Sequence, residues 1–255
     1  MKIEGVAAIV TGGASGLGAA TGRMLASRGA KVTLFDLNEE AGEKEAAAIG
    51  GVFRKLDVSD DKAVADAVAA AEDAHGVARI LANCAGVAHG KRTVSRDFEP
   101  HPLELFRRAI EINLIGTFNV LSKVAARLAR AEPLGEERGV IINTASVAAF
   151  EGQVGQPAYA ASKGGVVGLT LPIARELAPL GIRVVTIAPG IFWTPMLGVL
   201  PKEELASLGQ QVPFPARPGQ PDEYAMMVES IVANPMLNGE TIRLDGAIRM
   251  PPRFR

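Results

Sequence analysis

Tyr159 and Lys163 stand four residues apart in Tyr159-Ala160-Ala161-Ser162-Lys163. On a helix that spacing puts both side chains on one face. An ammonium close to a phenol favours the phenolate, so Lys163 is expected to lower the Tyr159 pKa from its ordinary value of about 10. A tyrosine tuned in this way can trade a proton with an alcohol near neutral pH. Taken alone, the pair also fits a half-exposed helix with no chemistry. Two further residues give it context. Ser146 directly follows the apolar run Gly139–Ala145, where a hydroxyl could hold a substrate oxygen. Asn113 lies inside a long helical stretch, in Glu111-Ile112-Asn113-Leu114, where asparagine is unfavourable by propensity and often has a reason to be present. It is either a surface residue or the holder of a water that leads protons to Lys163.

A second constellation lies near the N-terminus. The apolar run Val6–Thr11 leads into Gly12-Gly13-Ala14-Ser15-Gly16-Leu17-Gly18, and helical texture follows. Glycines let a backbone turn tightly and approach a pyrophosphate, while a helix N-terminus offers it free N–H groups. The spacing Gly12, Gly16, Gly18 is not G-x-G-x-x-G, so its position after a strand and before a helix carries the reading. Asp36 ends the next apolar run, where an acid can accept from adenosine ribose hydroxyls and repel a 2′-phosphate. Its neighbours Ser15 and Leu37 are not basic. NAD is therefore expected over NADP. Asp57-Val58 and Asn83-Cys84-Ala85-Gly86 follow two further runs, and small Ala85 and Gly86 leave room for a flat sugar or base. Cys84 reads as a packing residue and not a nucleophile.

These residues need a scaffold that delivers them to one edge. Val6–Thr11, Lys31–Asp36, Val52–Leu56, Arg79–Asn83, Gly139–Ala145, Ile182–Ala188 and Glu240–Leu244 read as strands. They are nearly continuous in apolar residues, as strands buried on both faces are. Helical spacing joins Leu17, Thr21, Met24, Leu25 and Arg28, and also Ala63, Ala67, Val68, Ala71 and Ala74. Helical texture further runs from about 102 to 130 and from about 157 to 177. Such alternation predicts one doubly wound α/β domain over residues 1–255, a parallel sheet with helices on both faces. Two stretches resist the pattern. One is Ala88–His101, which is polar and mixed in charge. The other is Gly190–Pro221, with five prolines from Pro195 through Pro218, and long irregular segments are usually functional or mobile.

Composition narrows the functions. Of the 255 residues, 48% are hydrophobic and 22% charged, and the net charge is −1, which gives no electrostatic footprint for nucleic acid or an anionic membrane. The longest uncharged stretch, Val184–Pro201, is broken by Pro189, Gly190, Pro195 and Pro201 and does not read as a membrane helix. One cysteine excludes a disulfide framework within the chain and fits a reducing compartment, so a cytoplasmic location is expected. No targeting segment is visible ahead of Val6. His75, His89 and His101 lack metal spacing, and no metal is expected.

Taken in order, Thr11–Gly18, Asn83–Gly86, Asn113, Ser146, Tyr159 with Lys163, and Pro189-Gly190 with Thr194 resemble the short-chain dehydrogenase/reductase family over essentially the whole chain. The resemblance implies a Rossmann fold with seven parallel strands. It implies that Asn113, Ser146, Tyr159 and Lys163 form a catalytic tetrad, that Lys163 also binds the nicotinamide ribose, and that Thr194 meets the carboxamide. Gly139–Gln156, Leu171–Arg175, Gln211–Pro215 and Leu237–Met250 are most similar to the subfamily of type II 3-hydroxyacyl-CoA dehydrogenases, also called type 10 17β-hydroxysteroid dehydrogenases. That similarity implies an NAD-dependent tetramer acting on 3-hydroxyacyl-CoA. The helical stretches with Asn113 and Tyr159 would pair across subunits, and Gly246–Arg255 would extend another interface.

A broad dehydrogenase for bulky ketones or hydroxysteroids is the alternative, and a silent NAD-binding scaffold the alternative of another class. Trp193 and Ala88–His101 depart from the subfamily, which leaves the substrate least specified. Lys91, Arg92 and Arg96 read as solvated, or else as meeting the phosphates of a CoA ester. Trp193, Met196, Leu197, Leu200 and Phe214 are expected to form a lid over an apolar substrate at about 190–221.

Overall fold

The structure is a computed structural model that describes residues 1–88, 90–195 and 208–252. His89, Met196, Leu197, Leu200 and the end of the Gly246–Arg255 segment lie outside the described residues.

Seven parallel strands form one sheet in the order β3-β2-β1-β4-β5-β6-β7. They are β1 (Ala7–Thr11), β2 (Lys31–Asp36), β3 (Val52–Lys55), β4 (Ala78–Asn83), β5 (Gly139–Thr144), β6 (Ile182–Pro189) and β7 (Thr241–Leu244). Each predicted strand is present, with ends displaced by one residue at most. Alternate residues face opposite layers. Ile9, Leu81, Ile141 and Val184 pack on one side against Val64 and Val68 of α3 (Asp61–His75), Val120 and Val124 of α5 (Gly116–Leu128) and Ile173 of α6 (Pro157–Leu177). Val10, Ile80, Ile142 and Val185 pack on the other against Leu25 of α1 (Gly16–Ser27) and Val228 and Ile231 of α7 (Pro221–Ala233). Both sheet faces are thus covered, and this is why the strands read as unbroken apolar runs.

Among the described residues, helices α2 (Glu39–Ile49) and α7 carry no reading in the sequence analysis. The α2 helix is rich in charge and alanine and buries only Gly42 and Ala46, so its apolar period is faint. Pro221, taken above as the end of an irregular stretch, opens α7 in the first helical turn, where its missing N–H has no partner to lose.

The long helical stretch also differs in detail. α4 (Leu103–Ile110) gives way to a π-turn over Glu111–Ile115 before α5 begins. Asn113 sits in that turn with no exposed surface, which removes the surface-residue reading. Such single turns of wider helix are often found at functional sites. Val184–Pro201 is strand β6 followed by loop as far as it is described. No described helix is long and apolar enough to cross a membrane.

Candidate active site

The strand order reverses between β1 and β4, so the loops leaving their carboxyl ends diverge and open a crevice. A cleft of about 600 Å³ lies there.

One end is built by the glycine loop. Gly12 takes φ +66°, and a Cβ on it would stand 2.8 Å from the Ala85 nitrogen. A Cβ on Gly18 would stand 2.1 Å from the Gly12 carbonyl oxygen, so only glycine lets α1 start this close to β1. Thr11 Oγ1 accepts from the N–H groups of both Cys84 and Ala85 at 3.1 Å, which ties the loop after β4 to the loop after β1. Ser15, Gly16 and Leu17 line the cleft at the start of α1. Asp36 lines it at the end of β2, and its carboxylate accepts from Ala14 N and Asn38 N at 3.0 Å each. Leu37, Asp57 and Val58 complete this end. Ala85 and Gly86, then Pro189, Gly190 and Thr194, line the cleft beside the glycine loop. Thr194 lies against Gly16, since a Cβ there would meet it at 3.4 Å. A backbone cradle closed to side chains, a free helix N-terminus and an acid one strand away fit a dinucleotide.

Ser146, Tyr159 and Lys163 line the same cleft. Ser146 leaves β5 and caps a short 3₁₀ turn through Ala148 N at 3.1 Å. Tyr159 and Lys163 lie on the first turns of α6, with Lys163 Nζ 6.0 Å from the phenol centroid. Lys163 is buried and donates to the Thr144 carbonyl at 2.7 Å. Burial lowers the Lys163 pKa to about 8.

The expected lowering of the Tyr159 pKa is not what the structure has. Burial of the phenol raises that pKa, and the Ser146 hydroxyl opposes the rise. The ammonium gives its hydrogen bond to Thr144 and is itself poorly solvated, so desolvation of the phenolate outweighs the attraction.

Asn113 does not line the cleft. Its Nδ2 donates to Ser162 Oγ and to Val87 O at 2.9 Å, and its Oδ1 accepts from Val87 N at 2.8 Å. It therefore bolts the π-turn to α6 one residue before Lys163, and to the cleft wall at Val87. Asn83, expected at the cofactor, also lies off the cleft. It is buried, and its Nδ2 donates to Asn143 Oδ1 at 3.0 Å between neighbouring strands. The reason is the pleat: Asn83 still belongs to β4, while the chain reaches the cleft only from Cys84 onward. Cys84 meets the cleft, and burial raises its thiol pKa, which makes a poor nucleophile. Val87, Arg108, Gln156, Leu208 and Met250 line the cleft and were not singled out from sequence. Val87 was within reach, since it directly follows Gly86. Nothing local marks Met250, which is brought in by the fold.

Of the lid residues, Trp193 and Phe214 are described and exposed. His75 ends α3, as expected, and His101 packs edge-on against Phe106.

Residues 6–205 match the family model described as short chain dehydrogenase. The chain belongs to the short-chain dehydrogenase/reductase family. It is 54% identical over 255 residues to 3-hydroxyacyl-CoA dehydrogenase type-2 of Homo sapiens, covering 98% of each chain. The Drosophila melanogaster protein of that name is 50% identical, with 98% of this chain and 100% of that one covered. A crystal structure of 3-hydroxyacyl-CoA dehydrogenase type-2 from Mycobacterium avium superposes with a TM-score of 0.93 at 43% identity, over 98% of both chains. This short-chain dehydrogenase/reductase is an oxidoreductase acting on CH–OH groups, from a family that depends on a nicotinamide dinucleotide.

Proposed function

We propose that the protein interconverts 3-hydroxyacyl-CoA and 3-oxoacyl-CoA with NAD. The observation that carries the reading is the meeting of Ser146, Tyr159 and Lys163 in a cleft that Asp36 also lines. The bound nicotinamide supplies hydride transfer. The remaining work falls to the chain. Ser146 holds the substrate oxygen. The Tyr159 hydroxyl gives it a proton during reduction, and the Tyr159 phenolate takes the alcohol's proton during oxidation. Lys163 binds the nicotinamide ribose and keeps positive charge beside the phenol. Thr194 meets the carboxamide. Asp36 accepts from the adenosine ribose hydroxyls and repels a 2′-phosphate, which favours NAD over NADP. Asn113 places α6 and the wall at Val87.

Support for the thioester comes from the segment ahead of α4. Lys91, Arg92 and Arg96 are exposed, and Lys91 N donates to Gly155 O at 2.7 Å, against the segment that leads into α6. A second hollow of about 370 Å³ borders Arg92 and shares Gln156 with the main cleft. A cation, Arg92, beside a hollow that adjoins the cleft suits a phosphorylated carrier arm. The apolar side chains of Leu208 and Met250 in the cleft favour, as a second reading, bulky ketones or hydroxysteroids.

Exposed Leu103, Ile115 and Phe118 on the α4–α5 rod and Leu171 on α6 support pairing of these helices across subunits in a homotetramer. The single cysteine agrees with a reducing, cytoplasmic setting. The test is NADH oxidation with acetoacetyl-CoA beside aryl ketones and ketosteroids. A kcat/KM for acetoacetyl-CoA below that for the free ketones overturns the acyl-CoA reading.

A further inference from the structure

The chain beyond β7 turns back over the carboxyl edge of the sheet. Gly246 and Ala247 both take positive φ, +60° and +67°. Asp245 braces the turn by accepting from Ala247 N at 3.0 Å, and its other oxygen accepts from Arg243 Nε at 2.8 Å. Ile248 is then fully buried, and Met250 reaches the cleft.

This strap is fastened to the segment between Ser146 and Tyr159. Glu151 is the clasp. Its carboxylate accepts from both terminal nitrogens of Arg243 at 2.7 and 3.1 Å, and from Met250 N at 2.9 Å. Arg249 stands 3.4 Å from the same carboxylate. Two more bonds run the same way, from Gln153 Nε2 to Pro251 O at 2.9 Å and from Val154 N to Pro252 O at 3.0 Å. Gln153 N in turn donates to Gln156 Oε1 at 3.2 Å, and Gln156 lines the cleft.

On its other side the strap carries a small core of its own. Ile191, Leu208, Val212 and Ile248 are buried together with Met250 packed against them. A Cβ on Gly246 would overlap Val212 at 2.4 Å, so this contact is as close as a glycine permits.

We infer that Met250, clasped by Glu151, is a specificity-determining wall that limits the length of the substrate's acyl or alkyl chain beyond the reacting carbon. It is the one strap side chain in the cleft among the described residues, and it comes from an element that carries none of the acid–base groups. Met250 thus bears on which chain fits and leaves the proton transfer to Ser146 and Tyr159. This rests on the function proposed above. Glu151 acts through Met250 and is a positioning residue.

The experiment compares wild type, Met250→Ala and Glu151→Ala with NADH. One substrate series is 3-oxoacyl-CoA thioesters of rising length from acetoacetyl-CoA. The other is free methyl ketones of rising alkyl length. A methylene in an apolar pocket discriminates by roughly 10- to 200-fold, so Met250→Ala should raise the long-to-short ratio of kcat/KM by about tenfold. Glu151→Ala should move the ratio the same way while kcat on the shortest substrate changes less. An unchanged ratio in Met250→Ala overturns the proposal, whatever happens to the melting temperature of Glu151→Ala. The two series separate the readings. Turnover of ketones without turnover of thioesters removes the acyl-CoA function, and the ketone ratio still decides the role of Met250.

Discussion

Lys163 gives its hydrogen bond to the main chain of Thr144, at 2.7 Å, and not to the phenol of Tyr159. Thr144 is the last residue of β5, two before Ser146, and its own hydroxyl donates to Asn83 O at 2.6 Å while accepting from the buried Tyr224. The ammonium and the serine hydroxyl are therefore set by one strand end. The cost is a charge taken out of water. Burial brings the Lys163 pKa from 10.5 to about 8.

That shift has a sign that can be measured. Between about pH 8 and 10.5 the folded chain holds fewer protons than the unfolded chain at this site, so its contribution to stability rises with pH across that window. Below pH 8 the penalty of the buried charge is fully present. Lys163→Met removes it. Urea unfolding of wild type and variant should show wild type gaining on the variant by a few kcal/mol, about 1.4 per pKa unit, as pH rises through the window. A pH-independent difference would mean that Lys163 is not held in this way. Turnover should be lost in the variant at every pH.

Asn113 predicts a different pattern. Removing its carboxamide in Asn113→Ala leaves Val87 N and Val87 O short of a partner in a half-buried place and takes a donor from Ser162 Oγ in a buried one. An unsatisfied buried group costs about 1–3 kcal/mol, so thermal stability should fall by at least that much. Because Asn113 places both α6 and the cleft wall, kcat should drop as well. Asn113→Asp keeps the acceptor for Val87 N and loses the donors, so it should recover only part of the stability. Full stability in Asn113→Ala would contradict the bolt.

Cofactor choice rests on Asp36. Wild type should turn over NADH much faster than NADPH. In Asp36→Ala the gap should narrow, chiefly through a raised KM for NADH. The variant also frees Ala14 N and Asn38 N, so some loss of stability is expected with it. Equal kcat/KM for both cofactors in wild type would dispose of the role given to Asp36.

Much of this was legible in the sequence because the information was local. The strands announce themselves as apolar runs, since both faces of the sheet are covered. Gly12 and Gly18, where a Cβ would clash, and Gly16, which takes a positive φ, are legible for the same reason, as such a turn is written at the turn itself. What was hidden is nonlocal. Asn83 and Ala85 are two residues apart, yet the pleat buries one and the cleft takes the other. The Tyr159 pKa depends on how dry its surroundings are, which i, i+4 spacing does not report. Met250 is 104 positions from Ser146 and meets the cleft only because Gly246 and Ala247 turn the chain and Glu151 catches it.

The proton is the last test. Burial leaves Tyr159 protonated at neutral pH, which is the form that reduction needs. Oxidation needs the phenolate, so its rate should climb with pH past neutrality while reduction holds level until Lys163 loses its charge above about pH 8. General acid–base catalysis is worth about 10²–10⁴ in rate, and Tyr159→Phe should lose at least that much in both directions. Phenylalanine keeps the ring against Lys163, so folding and NADH binding should survive. Steady-state turnover measured beside NADH fluorescence titration separates the two. Turnover close to wild type in Tyr159→Phe would assign the proton to another group. Ser146→Ala then gives the complementary reading: with the one hydroxyl that opposes the rise removed, the pH at which oxidation sets in should move upward. An unmoved profile would mean that Ser146 touches the substrate oxygen without tuning the phenol.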